Sequence, residues 1–205
     1  MHDFTHHVRG RRLVLSADEA FGFYATTVLG YFADLVDQWR DGMTVRVGWA
    51  LFRLAYDAEG DGARIQSPTY GTSPELTFTD DCSLGLWVQA GQAATLLKAN
   101  VDPLDCGYDD RIIYHHDALA SPRIYLERQG NTQPGDSGWY VGPLPPTTQA
   151  SPDNLVSVHT FQLTTVRPEI MKLLMLPAGT IALVDGHTVE EVVDADDRVL
   201  IRGPY

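Results

Sequence analysis

Residues 136–184 constrain the fold more than any other stretch, because apolar segments alternate there with strong turn signals. The opening segment DSGWYVGPL contains glycines that permit backbone conformations other residues resist. Apolar residues at 156, 158 and 161 then predict a strand, and Pro168 fits the first turn of a helix, where its missing N–H costs little. Thr180 to Val184 return as a strand that ends at an Asp-Gly turn. The stretch predicts a β-loop-β-α-β module that needs a partner layer.

The preceding residues predict a similar mixture of short elements. A helix is indicated from Ala17 to Arg40, because aromatic and aliphatic residues recur there at helical spacing behind the capping-box pattern Ser16-x-x-Glu19. A shorter helix is indicated over residues 90–99. Strands are predicted over residues 44–54, 64–66, 84–88, 112–114 and 124–128. We therefore predict an α+β fold, in which a curved, mostly antiparallel sheet packs against the N-terminal helix and two or more shorter helices.

The chain length of 205 residues suits one domain or two small interlocked ones. Residues 1–15 begin with a polar and basic segment, and we expect them to form a flexible tail. Residues 16–205 are then expected to form a single α+β domain. A Gly-Trp pair, a gap, a strand and a helix follow one another in residues 42–130 and again in 131–205. The two halves are either an internal pseudo-repeat or a coincidence, since this order of elements is common.

The formal net charge of −12 bears on the kind of partner. Such acidity argues against direct nucleic-acid binding, which relies on Lys and Arg neutralising phosphates. It favours association with a basic protein, although acidity for solubility alone gives the same charge. The sequence has neither a secretory apolar region near its start nor an uncharged stretch long enough for a membrane span, so we expect a cytoplasmic protein.

The residue types that catalysis needs do not form a known pattern. Cys82 and Cys106 lie outside any CxxC pair and near aspartates, which raise a thiol pKa. Adjacent His115 and His116 would point to opposite faces of a strand, which makes a poor metal site. Phosphate-binding glycine motifs are absent. We therefore predict no catalytic residue, no cofactor and no metal. The alternative is a small hydrolase in which either cysteine meets His115, His116 or His159.

Several motifs in the last third of the chain resemble a known family. Asp136, Ser137, Gly138 and Trp139 are followed by Ser151-Pro152-Asp153-Asn154, by a helical segment Pro168-Glu169-Ile170-x-x-Leu173-Leu174, and by Pro177-x-Gly179-Thr180. In this order they resemble the immunity proteins of bacterial polymorphic toxins, in particular the DSGW-containing immunity domain of the Imm33-like type. The resemblance implies a protein that binds and blocks a cognate toxin and has no chemistry of its own.

Acidic loops beside tyrosines are the expected partner-binding surfaces, since exposed aromatic side chains often anchor interfaces. A solvated acidic face is the simpler interpretation of each loop. The candidate residues are Tyr70, Asp80, Asp81, Tyr108, Asp109 and Asp110. We predict a cytoplasmic immunity protein that occludes the active site of its toxin. A regulatory or scaffold protein that binds a housekeeping partner is the remaining alternative.

Overall fold

The computed structural model describes residues 1–58, 62–71, 77–130, 132–146, 148 and 151–205. Its strands are β1 (His2–Val8), β2 (Arg11–Ala17), β3 (Thr44–Val47), β4 (Ala50–Tyr56), β5 (Gly62–Pro68), β6 (Phe78–Thr79), β7 (Arg111–His115), β8 (Arg123–Arg128), β9 (Asp136–Pro143), β10 (Leu155–His159), β11 (Ile181–Asp185), β12 (Thr188–Val193) and β13 (Val199–Arg202). The α-helices are α1 (Gly22–Asp34) and α2 (Ser83–Ala99), and short 3-10 helices occupy Glu19–Phe21, Val36–Gln38, Pro152–Asn154, Thr160–Thr164 and Pro168–Leu173.

The chain forms two compact units. The first comprises Met1–Tyr70 and the segment that ends at Ala90, and the second comprises Gly91–Tyr205 with a few residues from Gly71 onward. The main boundary thus falls inside α2. It does not fall at residue 130, where the sequence suggested two halves, because β7 and β8 hydrogen-bond within the same sheet as β9 to β13.

The first unit contains a six-stranded sheet in the order β1-β2-β5-β4-β3, with β6 paired to β5. Strands β2 and β5 run parallel, and the other pairs are antiparallel. Helix α1 lies against β1 and β2 and buries Ala25, Val28, Leu29 and Phe32. The predicted N-terminal helix is therefore confirmed, although its α-helical part is shorter than the predicted 17–40.

The prediction of a flexible tail over residues 1–15 is wrong, because β1 and β2 form a hairpin. Its turn contains Arg9 and Gly10, both with positive φ. Leu13 and Leu15 are completely buried, which gives the hairpin a hydrophobic anchor. Ser16 belongs to β2 and donates to the Asp3 carboxylate, so it does not cap α1 as predicted.

Two predicted strands of the first unit, residues 44–54 and 84–88, are wrong, and the proposed internal repeat depended on both. Residues 44–54 form the hairpin of β3 and β4, with Gly48 at φ +56° in its turn. Residues 84–88 lie in α2, although their apolar residues alternate as in a strand. Three alternating residues fit either structure, and the Ala- and Gln-rich sequence that follows favours helix. The second strand of the proposed repeat is therefore absent from the first unit.

The second unit contains a seven-stranded sheet in the order β10-β7-β9-β8-β11-β12-β13. Strands β7 and β9 run parallel, and the other pairs in this order are antiparallel. Alternate residues of β8 and β11, such as Ile124, Leu126, Ala182 and Val184, are completely buried. Phe161, Leu163 and the apolar residues Ile170, Met171 and Leu173 of the 3-10 segments are also buried in this unit.

The predicted α+β class is confirmed, and the secondary structure falls into two mixed sheets with a few helices. Pro168 begins a helical segment as predicted, but this segment is a 3-10 helix. It ends at Leu173, four residues before Pro177, which has no backbone N–H to donate to a helix. Among the described helices, none combines the length and hydropathy needed to cross a membrane.

Candidate functional site

The centre of the second unit is a buried arginine, Arg128, at the end of β8. Its side chain is 2% exposed, and it belongs to the same strand face as Ile124 and Leu126. The guanidinium donates five hydrogen bonds, all to backbone carbonyls. The acceptors are Ser137 at 3.1 Å, Leu104 at 3.0 Å, Leu174 at 2.9 Å, Leu176 at 2.5 Å and Asp105 at 2.8 Å. Nη1 shares its two N–H groups among the carbonyls of Leu104, Leu174 and Leu176, while Nε donates to Ser137 and Nη2 to Asp105.

Burial lowers the pKa of the Arg128 guanidinium, because the charged form loses hydration. Cys106, Asp110 and Asp105 act in the opposite direction and favour the charge. An arginine remains protonated at neutral pH in nearly any environment. Arg128 is therefore a fixed buried charge that joins β8 to the backbone around residues 104–105 and 174–176.

Trp139 of β9 lies opposite Arg128 in the strand register. Its ring is 1% exposed, and its centroid lies 5.6 Å from the guanidinium carbon of Arg128. The indole Nε1 donates to the Leu174 carbonyl at 2.9 Å, the same oxygen that accepts from Arg128. The tryptophan of the DSGW motif is thus part of the interior that surrounds Arg128.

The other residues of that motif shape the entry into β9. The Asp136 carboxylate accepts from the Gly138 N–H at 2.9 Å, and the Ser137 hydroxyl donates to the Arg111 carbonyl at 2.7 Å. Gly138 has φ +76°, and a Cβ there would lie 2.6 Å from the Gln129 carbonyl oxygen. Glycine is required at this point both by the backbone conformation and by the space.

The second family motif, around Pro177 and Gly179, also contacts Arg128. The Gly179 N–H donates to the Arg128 carbonyl at 2.7 Å, and the Arg128 N–H donates to the Thr180 carbonyl at 2.9 Å. Gly179 has φ +82°, and a Cβ there would lie 2.6 Å from the Ala195 methyl. Both motifs therefore order the polypeptide around one arginine, which the sequence analysis did not single out.

The opposite face of the sheet is open to solvent and carries a row of side chains. The strand register places Ile113 of β7 beside Tyr140 of β9, Tyr140 beside Glu127 of β8, and Glu127 beside Ile181 of β11. Ile113 and Ile181 are each 37% exposed. We call these four residues, together with Tyr125, the outer face.

Two tyrosines make the outer face aromatic. The Tyr125 ring lies over Gly142, where a Cβ would overlap it, and its centroid is 5.8 Å from that of Tyr140. Burial, Tyr125 and Glu127 together raise the pKa of Tyr140 to about 12, because each disfavours a phenolate there. At neutral pH Tyr140 therefore presents a neutral phenol next to the Glu127 carboxylate.

Two grooves border the outer face and share Ile113 and Asp136. The first, of about 360 Å³, also includes Glu127 and Tyr140. The second, of about 410 Å³, also includes Asp109, Arg111 and His159. Their acidic residues are Asp109, Glu127 and Asp136, and their basic residues are Arg111 and His159. The surface beside the outer face is therefore acidic.

Three of the predicted partner-binding residues lie together in the turn before β7. Asp109 is exposed and lines the second groove. The Asp110 carboxylate accepts from the Gly107 N–H at 2.7 Å, and the half-buried Tyr108 accepts at its carbonyl from the Phe161 N–H. Of the three, Asp109 is thus the one best placed to meet a partner.

The other three predicted partner-binding residues belong to the first unit. Tyr70 is completely buried, and its hydroxyl accepts from the Leu51 N–H at 2.8 Å, so the expectation of an exposed anchor is wrong. The Asp80 carboxylate accepts from the Gln66 amide at 2.8 Å. Asp81 accepts from the Ser83 N–H at 2.9 Å, at the start of α2. Asp80 and Asp81 are exposed but have these structural partners as well.

The cysteines and histidines do not favour the hydrolase alternative. Burial, Asp81 and Asp80 raise the pKa of the Cys82 thiol far above the usual range, and its Sγ lies 3.5 Å from the Ile65 carbonyl. Cys106 is buried beside the cationic Arg128, and its Sγ lies 3.9 Å from the Gly107 carbonyl. The histidine nitrogens face other groups: His115 Nε2 faces Thr148, His116 Nδ1 the Asn154 carbonyl, and His159 Nδ1 the Asp109 carbonyl.

His115, His116 and Asp117 are the one group with metal-ligand spacing in the described part of the chain, with a ligand atom of each within 4.8 Å of the others. The His115 ring is buried, and its Nδ1 accepts from the Asp117 N–H at 3.2 Å. A metal at that nitrogen would have to replace this hydrogen bond. The group is better described as a hydrogen-bonded cap on the end of β7.

Comparison with known protein families gives a match for the second unit. Neither the curated proteins nor the solved structures contain a significant match. Residues 91–195, just over half of the chain, match the Imm33-like domain family. The match begins at Gly91, where the second unit begins, and it includes Arg128, both sequence motifs and the outer face. The chain therefore belongs to the Imm33-like family of immunity proteins.

Proposed function

We propose that this protein binds a cognate bacterial toxin and neutralises it by covering its active site, without catalysis of its own. Membership of the Imm33-like family is the observation that carries the proposal. The DSGW motif has structural roles around β9 and Arg128, so in this proposal the motif orders the scaffold and other side chains contact the toxin. An immunity protein needs a stable scaffold and an exposed recognition surface, and the buried surroundings of Arg128 and the solvent-facing side of the same sheet are compatible with both.

We further propose that the toxin surface is basic and that the two proteins meet in the cytoplasm of the producing cell. The net charge of −12 would raise the rate of association with a basic partner. Steric coverage then depends on a few well-packed contacts, since a minority of interface residues usually dominates the affinity. Nucleic acid and membrane have no part in this proposal.

The test is co-expression of the toxic domain encoded beside this gene, with and without this protein, in a sensitive host. We expect survival only when this protein is present, and a stable complex when the two purified proteins are mixed. An unrelated toxin of similar charge serves as the control and should not be neutralised. Equal killing in both cultures would refute the proposal. Binding without protection would favour the regulatory alternative.

A further inference from the structure

The outer face is an exposed surface of the sheet that the proposed function does not yet assign. Its residues come from four adjacent strands, so their relative positions are fixed by backbone pairing and not by loop conformation. A binding surface built on rigid elements loses less conformational entropy on association than one built on loops. Ile113 and Ile181, at 37% exposure, provide apolar area on either side of Tyr140 and Glu127.

Glu127 is the unusual member of this surface. It lies between Tyr140 and Ile181 in the register, and its carboxylate makes no hydrogen bond or ion pair within the described part of the chain. By comparison, the exposed Arg123 of the same strand is paired with Glu190 at 2.7 Å. A carboxylate without a partner, held among apolar and aromatic groups, is well suited to receive a cation from another molecule.

The surroundings of Glu127 favour the same ligand. Tyr140 and Tyr125 present aromatic surfaces with their centroids 5.8 Å apart, and a cation near such rings is attracted by their electrons. Asp136 and Asp109 add negative charge along the neighbouring grooves. A guanidinium suits the Glu127 carboxylate, the two tyrosine rings and the acidic grooves alike, because arginine stacks on aromatic rings and binds carboxylates in pairs of hydrogen bonds.

We propose that the outer face, centred on Tyr140 and Glu127, is the surface that binds the toxin, and that the toxin inserts an arginine from a basic, partly apolar patch there. This inference rests on the proposed function and specifies where and how recognition occurs. The grooves beside it, of about 360 and 410 Å³, accept the side chains that flank this arginine.

The test compares the binding of the toxic domain encoded beside this gene to the wild-type protein and to four variants by titration calorimetry. We expect Glu127→Lys and Tyr140→Ala each to weaken the affinity by at least about tenfold, as at interface hot spots. Glu127→Gln should have a smaller effect in the same direction. Asp102→Lys, the same change of charge at an exposed position in the turn after α2, should change the affinity by less than about twofold. Circular dichroism melts of all variants identify any loss of folding.

Salt supplies a second readout that a structural effect would not change. Raising the ionic strength should weaken the wild-type complex by slowing association, and it should weaken the Glu127→Gln complex less. The wild-type protein could bind the toxin and protect the cell while folded Glu127→Lys and Tyr140→Ala bind with unchanged affinity. That result would place the interface elsewhere and leave the proposed function intact. A wild-type protein that neither binds nor protects would overturn both. Self-association that Tyr140→Ala abolishes would identify a second copy as the occupant and overturn the assignment to the toxin.

Discussion

Arg128 and Trp139 donate hydrogen bonds to the same carbonyl oxygen, that of Leu174, each at 2.9 Å. One residue ends β8 and the other lies opposite it in β9, so this shared acceptor joins two strands to the segment that follows the 3-10 helix Pro168–Leu173. The DSGW motif and the Pro177-x-Gly179 motif lie on either side of this point. The stability of the second unit should therefore depend on these few residues far more than on its surface charges.

Replacing Arg128 with Met should strongly destabilise the second unit. Five carbonyls lose the donor that Arg128 provides, although Leu174 keeps that of the Trp139 indole, and a buried polar group without a partner costs about 1–3 kcal/mol. We expect a loss of at least about 3 kcal/mol in the free energy of unfolding, measured by urea denaturation. Arg123→Gln in the same strand removes only the exposed contact with Glu190 and should cost about 0–1 kcal/mol. Similar losses for the two variants would contradict the role assigned to Arg128.

The indole N–H of Trp139 can be tested separately from its ring. Trp139→Phe keeps most of the buried aromatic area but leaves the Leu174 carbonyl with one donor fewer. We expect a loss of about 1–2 kcal/mol by thermal or chemical unfolding. Trp87→Phe, at a position that is 40% exposed, is the control and should change stability by less than about 0.5 kcal/mol. If the two substitutions cost the same, the hydrogen bond contributes nothing measurable.

Two glycines of similar conformation distinguish backbone strain from lack of space. Gly135 and Gly138 have φ of +83° and +76°, but a Cβ at 135 would meet nothing within 4 Å, whereas at 138 it would lie 2.6 Å from the Gln129 carbonyl oxygen. Gly135→Ala should cost about 1–2 kcal/mol through the left-handed conformation alone. Gly138→Ala should cost at least about 1 kcal/mol more, since the strand pair has to move. Equal melting temperatures would show that the backbone adjusts freely.

The N-terminal hairpin predicts a pH effect at Asp3. The hydrogen bond from Ser16 lowers the pKa of the Asp3 carboxyl, with Arg64 acting in the same direction. A lowered pKa in the folded state means that the ionised form adds stability above the unfolded pKa, and that this stability is lost as the pH falls through the folded pKa. The side chain of Asp3 is mostly exposed, so the effect on overall stability is small.

Carboxyl-carbon NMR titration measures the Asp3 pKa directly. Ser16→Ala should raise it toward its usual value, while Ser157→Ala, an exposed change in the second unit, should leave it unchanged. The Asp3 pKa could instead be ordinary in the wild-type protein, or it could stay unchanged in Ser16→Ala. Either result would show that residues 2–17 do not form this hairpin in solution.

Much of the second unit was predictable from residue patterns, because its strands are short, apolar and bounded by turn residues. The strands found at Arg111–His115, Arg123–Arg128 and Ile181–Asp185 lie within a residue of their predicted limits. The errors concern segments whose local pattern fits two structures. Residues 84–88 alternate as a strand but join a helix, and residues 1–15 contain charges on the exposed positions of a hairpin.

Arg128 was missed because a charged residue at a strand end is usually exposed. The signal that identifies it is the alternation with Ile124 and Leu126, which places Arg128 on the buried face and Tyr125 and Glu127 on the other. Tyr70 was misplaced for the converse reason. Its sequence neighbours are polar, yet its ring is buried and its hydroxyl accepts a hydrogen bond from the Leu51 N–H. No pattern in the sequence reveals this contact.

The buried positions of Ser137, Gly138 and Trp139 bear on which residues of this sheet can change. The side chains that maintain the architecture point into one face of the sheet, whereas Tyr140 and Glu127 alternate with them on the same strands and point outward. Outward residues can be exchanged without disturbing the buried arginine network. Under the proposed function, a new partner specificity therefore requires surface substitutions alone, on a framework that does not have to be rebuilt.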